Sequence, residues 1–222
     1  AAFMTAAKLG VSVGVSESTV VRFAIELGFS GYPKLQKSLQ ELIKNKLTTV
    51  QRLELSSDYI TEGHALKGVL KADMENIRST MEKIDYNTFE DVVNNIFAAK
   101  RIYIIGLRSS MALAEFLGFY LNIILQNVKT VGYGISDIFE QMINVGEGDL
   151  VIGIGFPRYA SRTIDALAFA QDRGATVVAV TDSFLSPLAA RADYSLIAQS
   201  NMASFVDSLV APLSVINALI IA

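Results

Sequence analysis

The sequence predicts an α/β domain built on a parallel β-sheet, preceded by a smaller all-α domain. From residue 86 onward, five apolar strand-like runs alternate with helical patterns, which is typical of a parallel sheet with helices on both faces. Residues 1–47 show short helical patterns separated by tight breaks. The chain has 222 residues, of which 51% are hydrophobic, so it is long enough to bury a sizeable core.

The first domain, residues 1–47, has the order helix, tight turn, helix. Apolar residues recur at helical spacing in the second helix and predict one buried stripe, formed by Val20, Phe23, Ala24 and Leu27. Ser16 stands at the expected N-cap of this helix, and Gly28 stands where a helix ends in a left-handed residue. A further amphipathic helix is marked by Leu35, Leu39, Leu42 and Ile43.

Residues 48–85 are predicted to be a helical linker, because they are polar, of mixed charge and rich in helix formers. A connecting helix with one apolar edge is indicated by Leu66, Val69, Leu70, Asp73, Ile77 and Met81. The only histidine of the chain, His64, lies in this segment and is interpreted as a solvated residue.

The second domain, residues 86–222, has its strands predicted at RIYIIG, VKTVG, DLVIGIG, ATVVAVTD and DYSLIA. The loops after the first, third and fourth strands read GLRSS, GFPRYASRT and TDSFLSP, and they emerge at the same edge of the sheet. A single serine there is more often a helix cap, but hydroxyls, arginines and helix N-termini together bind oxyanions. The convergence predicts a pocket for an anionic effector, formed by Arg108, Ser109, Ser110, Arg158, Ser161, Thr163, Ser183 and Ser186.

Two other functions are considered for this edge of the sheet. Gly153 and Gly155 begin a dinucleotide-binding pattern and Asp182 stands where a ribose-binding carboxylate is found, but Arg158 replaces the third glycine. An isomerase needs a general base, and the acidic candidates have no partner at a diagnostic spacing: Asp137, Glu140, Asp165 and Asp207. We interpret these acids as surface or capping carboxylates and predict no catalytic residue.

The composition excludes several kinds of site. A chain without cysteine and with one histidine forms no disulfide, thiolate site or multi-histidine metal cage, so we expect neither a metal nor a cofactor. No apolar run approaches the roughly 18 residues of a membrane span, and the first residues lack the basic region of a signal peptide. We therefore expect a cytoplasmic protein with no membrane partner.

The charge of the chain is unevenly distributed. Residues 1–50 carry six basic and three acidic side chains, whereas the remainder carries 13 basic and 19 acidic ones, which favours contact of the first domain with a polyanion. In a helix-turn-helix, the exposed start of the second helix meets base edges and phosphates. The candidate DNA-binding residues are Ser16, Glu17, Ser18, Thr19, Arg22, Lys34 and Lys37. A plain helical bundle with a solvated polar face fits the pattern equally well.

The stretch GVSESTVVRFAIELGFSGYPKLQKSL resembles the DNA-binding region of RpiR-type transcriptional regulators, and the three hydroxyl-rich loops resemble their C-terminal SIS (sugar isomerase) domain. The most specific segments are residues 19–32 and 181–193. The resemblance implies a bacterial regulator whose SIS domain, a three-layer sandwich with a five-stranded parallel sheet, binds a phosphorylated sugar or sugar acid and alters the affinity for operator DNA. It implies a homo-oligomer, a dimer or tetramer, without enzymatic activity. The alternatives are a phosphosugar isomerase with an accessory N-terminal domain and a DNA-binding module whose sheet domain only dimerises.

The resemblance carries the family's effector-binding positions onto Ser110, Arg158, Thr163, Ser183 and Ser186. Two positions depart from the family pattern, since Gly155 replaces a common serine and Ala160 a common hydroxyl residue. These departures imply a weaker phosphate site, or an effector that bears a carboxylate and is held with help from the two arginines. The family's first helix is missing before FMTAAKLG, so we expect the helix-turn-helix domain to be incomplete at its N-terminus.

Overall fold

The structure is a computed structural model that describes residues 4–44, 65–134, 136–201 and 206–222. The chain divides into two compact units, Ala1–Leu55 and Ser56–Ala222. The interpretation of His64 falls outside the described residues. Within the described ranges, no helix is long and apolar enough to cross a membrane.

The described residues of the first unit, 4–44, form three helices: α1 (Ala6–Val13), α2 (Glu17–Glu26) and α3 (Tyr32–Lys44). Ser16 caps α2 as predicted, and its Oγ accepts a hydrogen bond from the Thr19 N–H at 3.2 Å. Gly14 and Gly28 adopt left-handed φ angles of 74° and 87° after α1 and α2, a conformation that favours glycine. The order helix, short turn, helix agrees with the predicted helix-turn-helix.

The core of the first unit is formed by buried side chains from all three helices: Ala6, Val20, Ala24, Tyr32 and Leu35. The predicted stripe of α2 is right for Val20 and Ala24 and wrong for Phe23 and Leu27, which are more than half exposed. Both lie on the flank of the stripe, which the described residues of this unit leave uncovered. The predicted apolar positions Leu42 and Ile43 have side chains outside the described part of the chain.

The second unit alternates helices and strands: α4 (Ala65–Lys83), α5 (Tyr86–Ala98), β1 (Ile102–Gly106), α6 (Ser110–Ile124), β2 (Val128–Val131), α7 (Ile138–Gln141), β3 (Leu150–Ile154), α8 (Ser161–Asp172), β4 (Thr176–Thr181), a 3₁₀ turn (Ala189–Arg191), β5 (Tyr194–Ile197) and α9 (Val210–Ile221). The five strands form one sheet, entirely parallel, in the order β2-β1-β3-β4-β5. Each predicted strand is present. Between β4 and β5, residues 186–192 (SPLAARA) contain only the 3₁₀ turn and no α-helix.

Side chains of the strands alternate between two cores on opposite faces of the sheet. Ile102 and Ile104 of β1 enter one core together with residues of α5, α6 and α9. Tyr103 and Ile105 enter the other core, together with residues of α7 and α8. The sheet is therefore the middle layer of a three-layer sandwich, which confirms the predicted fold class.

Helix α4 packs on the second unit through polar side chains. Its buried residues are Asn76 and Thr80. The side chain of Asn76 exchanges hydrogen bonds with the backbone of Asn201, and Thr80 Oγ1 accepts one from the Gln199 N–H at 2.8 Å. The apolar positions predicted for this helix are exposed instead: Leu66, Val69, Leu70, Ile77 and Met81. We predicted a linker over residues 48–85, and the helix described within it belongs by its contacts to the α/β unit.

Candidate functional site

A pocket lies at the carboxyl ends of β1 and β3, where the strand order of the sheet reverses. This is the switch point at which open parallel sheets bind their ligands. The pocket encloses roughly 300 Å³, including the part that is open to solvent. Its lining comes from the loops after these strands, from the first turns of α6 and α8, and from a single residue of the segment that precedes α9. The lining residues are 107–110, 154–158, Ala160, Thr163 and Asp207.

Two helices begin at the pocket without a capping side chain. Helix α6 follows Ser109 and α8 follows Ala160, and neither residue makes a side-chain hydrogen bond to its helix. Among the other described helices, four are capped, by the side chains of Thr5, Ser16, Asp85 and Asp137. The N–H groups of Ser110 and Met111 at the start of α6 donate to the carbonyls of Leu107 and Arg108. Both helix starts direct the positive end of the helix dipole at the pocket, and this arrangement favours an anion.

Two hydroxyl residues that the sequence predicts for the site lie buried at these helix starts. Ser110 is the first residue of α6, and Thr163 stands in the first turn of α8 with 1% of its surface exposed. Within the part of the chain that the structure describes, Thr163 Oγ1 is buried and has no hydrogen-bond partner. Because a buried hydroxyl without a partner is costly, it indicates a group that a ligand satisfies.

Both predicted arginines line the pocket, and both have an unusual backbone. Arg108 adopts a φ of 59° and Arg158 a φ of 74°, in the left-handed region that residues other than glycine rarely occupy. The guanidinium of Arg108 donates to the backbone carbonyl of Arg158 at 3.2 Å. Such conformations cost about 1–3 kcal/mol each and concentrate at ligand-binding sites.

Asp207 lines the pocket, so its interpretation from the sequence as a surface or capping carboxylate is wrong. Arg158 Nη2 lies 2.8 and 3.0 Å from the two carboxylate oxygens of Asp207, and Ser109 Oγ donates to the same carboxylate at 3.1 Å. The ion pair is largely buried, with 19% of the Arg158 side chain and 11% of the Asp207 side chain exposed. The two residues are 49 positions apart, so no local motif signals their contact.

Three predicted effector-binding residues do not line this pocket. Ser161 is exposed at the first position of α8. Ser183 Oγ accepts a hydrogen bond from the Leu185 N–H at 3.1 Å, and Ser186 Oγ accepts one from the Ala189 N–H at 3.0 Å. Both hydroxyls therefore hold the turn after β4, and contact of these three serines with an effector stays a prediction.

Packing beneath the pocket explains one departure from the family pattern. A Cβ atom at Gly155 would lie 2.7 Å from Cδ2 of Leu188, whose side chain is fully buried. A serine at this position therefore requires that leucine to move. Glycine lets the loop after β3 run close to the core at the expense of one hydroxyl.

The groups that the dinucleotide and isomerase functions need are engaged in structural contacts. Asp182 accepts a hydrogen bond from the Tyr159 hydroxyl at 2.6 Å, and burial together with this contact raises the pKa of Tyr159 far above its usual range. Asp137 and Glu140 form a capping box at α7. The pKa of Asp137 is lowered, mainly because its carboxylate accepts a hydrogen bond from the Arg162 guanidinium. Asp137 and Glu140 therefore cap a helix, in agreement with their interpretation from the sequence, and Asp182 is bound to a tyrosine.

The candidate DNA-binding residues of the first unit lie at the start of α2 and on α3. Ser16, Glu17, Ser18, Thr19, Arg22 and Lys34 are exposed, whereas the side chain of Lys37 lies outside the described residues. The hydroxyl of Ser16 is 2.8 Å from those of Ser18 and Thr19. The helix start thus presents a cluster of hydroxyls one turn ahead of the Arg22 guanidinium.

Fold and site together define a class of protein: an α/β domain with an anion-accepting pocket, joined to a helix-turn-helix. Comparison with known families agrees with this class. Residues 95–222 match the SIS domain family, and residues 2–46 match the helix-turn-helix domain of the rpiR family. The chain belongs to the RpiR family of SIS-domain proteins, as its sequence resemblance implied.

Two curated relatives are HTH-type transcriptional regulators. One, from Haemophilus influenzae, is 31% identical over 82% of this chain and 64% of its own length. The other, from Clostridium perfringens, is 26% identical over 82% of this chain and 65% of its own length. The chain thus spans less than two thirds of the length of these relatives.

Solved structures share the fold. The sugar isomerase domain of an RpiR transcription factor from Sphaerobacter thermophilus is 32% identical, with a TM-score of 0.68, and the match covers 71% of this chain and 88% of that one. The Vibrio vulnificus NanR protein, solved in complex with ManNAc-6P, is 20% identical, with a TM-score of 0.57, and the match covers 99% of this chain and 78% of that one.

Proposed function

We propose that this chain is the DNA-binding and effector-sensing part of a bacterial transcriptional regulator, and that its SIS domain binds a phosphorylated sugar or sugar acid. The observation that carries the proposal is the pocket where two uncapped helix N-termini meet the buried hydroxyl of Thr163, which has no hydrogen-bond partner among the described residues. A phosphate group brings several acceptor oxygens and a charge between −1 and −2, so it suits backbone N–H groups, hydroxyls and arginine together. Binding to operator DNA would place the protein in the cytoplasm.

The fold is compatible with this ligand class. NanR, which shares the fold, is solved with ManNAc-6P bound. Fold alone does not assign a ligand, so the proposal rests on the chemistry of the pocket in this chain. The phosphosugar isomerase remains the second candidate, but no observed group favours it, since the carboxylate in the described pocket lining, Asp207, is paired with Arg158.

A thermal-shift screen against sugar phosphates and sugar-acid phosphates tests the effector. A ligand at about one hundred times its Kd adds about 2.7 kcal/mol to the free energy of unfolding. Ser110→Ala should remove this stabilisation, because the hydroxyl lies buried at the start of α6. Ser214→Ala, an exposed serine of α9 outside the pocket lining, is the matched control. If no phosphorylated sugar raises the melting temperature, the effector assignment is wrong, and turnover of a sugar phosphate would support the isomerase.

The DNA-binding half is tested by Arg22→Ala in the full-length protein. Arg22 is exposed on α2, so we expect the substitution to weaken binding to a duplex selected from a random library without unfolding the first unit. Arg78→Ala removes the same charge from an exposed position of α4 and serves as control. An Arg22→Ala affinity equal to that of the control, in a gel-shift titration at fixed salt, would contradict the assignment of α2 as the recognition helix.

We also propose that the chain self-associates through the exposed apolar residues of α4. Leu70, Met74 and Met81 are 54%, 70% and 70% exposed on a helix that uses its polar residues for packing within the unit. A second copy of the chain suits this surface, because regulators with a helix-turn-helix read palindromic operators as two-fold dimers. Met74→Lys should lower the sedimentation coefficient of the chain, and Leu185→Lys, on an exposed loop, should leave it unchanged. Equal sedimentation of both variants would contradict an α4 interface.

A further inference from the structure

The carboxylate of Asp207 lies in the lining of the pocket and is bound by side chains of two other lining residues. It holds Arg158 Nη2 at 2.8 and 3.0 Å and accepts a hydrogen bond from Ser109 Oγ at 3.1 Å. These donors belong to the loop after β3 and to the residue ahead of α6, both of which line the pocket. The chain therefore supplies its own anion to donors that the sequence analysis assigns to the effector.

The residue next to Asp207 contacts a different element. Ser208 Oγ donates to the Asp73 carboxylate of α4 at 2.6 Å, and the Ser208 carbonyl accepts a hydrogen bond from Ser200 Oγ at 2.9 Å. Neighbouring residues thus connect the pocket to α4. In the order of the chain, α4 is the first described helix after those of the first unit.

We propose that Asp207 is an internal competitor of the effector, and that its displacement carries the binding signal to α4. The proposal rests on the proposed function, because it concerns the regulation of the same pocket. A phosphate that enters brings a second negative charge to Arg158 and Ser109, and two anions within about 4 Å repel each other in a partly buried site. A phosphate has more acceptor oxygens than a carboxylate, so it can meet the Thr163 hydroxyl and the positive ends of two helix dipoles as well as Arg158, and it therefore displaces Asp207.

Displacement has a structural consequence and a consequence for specificity. When Asp207 moves away from Arg158, the adjacent Ser208 moves away from Asp73. Helix α4 then loses the hydrogen bond between Ser208 Oγ and Asp73, one of those that hold it to the unit. A ligand with a single carboxylate replaces Asp207 charge for charge and gains little, whereas a phosphate gains charge and additional acceptors. Asp207 therefore selects for phosphorylated ligands over simple sugar acids.

The first test measures binding of inorganic phosphate to the whole 222-residue chain by calorimetric or ³¹P NMR titration. Asp207→Asn keeps the shape of the side chain and removes its charge, and it should bind phosphate at least tenfold more tightly than the wild type. Asp165→Asn removes the same charge from an exposed position of α8 and should bind within twofold of the wild type. Equal affinity of the two variants, or weaker binding by Asp207→Asn, would overturn the proposal, and weaker binding would mean that Asp207 contacts the ligand directly.

The second test follows α4 by hydrogen exchange. Saturating phosphate should increase exchange of the α4 amides around Asp73 in the wild type, and Ser208→Ala should show the increase without phosphate. Unchanged exchange in α4 at saturation would overturn the coupling.

Failure of this proposal is distinguishable from failure of the proposed function. A sugar phosphate that stabilises the wild type, together with an Asp207→Asn variant that binds phosphate no more tightly, would refute the competitor alone. Absence of binding by every phosphorylated compound in both proteins would refute the effector site itself and the competitor with it.

Discussion

Replacing Thr163 by valine should stabilise the ligand-free protein and abolish effector binding. Thr163 Oγ1 is buried without a hydrogen-bond partner in the described structure, and 1% of the residue is exposed. Valine has the same branched shape and places a methyl group where the hydroxyl was. Stability and binding are therefore expected to change in opposite directions, a combination that a purely structural role does not produce.

The size of the stability change follows from the cost of the buried hydroxyl. A buried polar group without a partner costs about 1–3 kcal/mol, so Thr163→Val should raise the free energy of unfolding by roughly 1–2 kcal/mol. For a protein of this size, each kcal/mol shifts the melting temperature by about 2–4 °C. Calorimetry or a thermal scan with and without a sugar phosphate measures both effects on the same sample.

Thr80→Val is the matched control for this substitution. Thr80 is also a buried helical threonine, but its Oγ1 accepts a hydrogen bond from the Gln199 N–H at 2.8 Å. Loss of this hydrogen bond in Thr80→Val should lower the free energy of unfolding by about 1–2 kcal/mol and leave ligand binding unchanged. If Thr163→Val destabilises the protein as much as Thr80→Val does, the hydroxyl of Thr163 has a partner and the reasoning fails. If Thr163→Val still binds a sugar phosphate normally, the phosphate binds elsewhere.

Three further substitutions test the scaffold around the site. Asp149→Ala removes a fully buried carboxylate that Arg101 holds at 2.8 and 3.0 Å. In denaturant titration it should lower the free energy of unfolding several times more than Arg78→Ala, which breaks an exposed ion pair. Gly155→Ala should cost about 1–3 kcal/mol in the same titration, because its Cβ would lie 2.7 Å from a buried leucine. Hydrogen bonds from Thr88 lower the pKa of Asp85, the cap of α5, so its contribution is complete above pH of about 4 and is lost as the pH falls through the folded-state pKa. Asp85→Asn should remove this part of the acid sensitivity in melts between pH 2 and 7.

The sequence predicts most of the fold because its signals are local. The three central strands, β1, β3 and β4, are runs of mostly buried residues that hydrophobicity marks, and the cap at Ser16 and the left-handed Gly28 depend on a few neighbouring positions. The stripe of α2 is only half right, since spacing places Phe23 beside Val20 but does not show how far the neighbouring helices reach. The prediction of a buried apolar edge on α4 is wrong for the same reason, because periodicity identifies a face of a helix without identifying what covers it.

The site is less predictable, because its decisive contacts join distant parts of the chain. Loop composition placed Arg108, Ser110 and Thr163 at the pocket, since strand ends of a parallel sheet meet at one edge. The same composition suggested Ser183 and Ser186, whose hydroxyls hold a local turn, and no spacing rule separates such a serine from a ligand-binding one. The interpretation of Asp207 as a surface or capping carboxylate is wrong because the sequence does not show which arginine a carboxylate faces.

The pocket gathers several unfavourable features in one place, and this concentration is itself informative. The pocket is lined by two uncapped helix starts, by two arginines with left-handed backbone and by a hydroxyl that has no partner in the described part of the chain, and Asp207 fills part of its volume. Each feature lowers the stability of the ligand-free state, and an anion with several acceptor oxygens relieves the unpaired donors among them. Natural proteins keep such local costs where function requires them. A ligand that satisfies these donors binds more tightly when Asp207 is displaced from Arg158 than when the two are paired. In the proposed mechanism, this difference in affinity drives the change at α4.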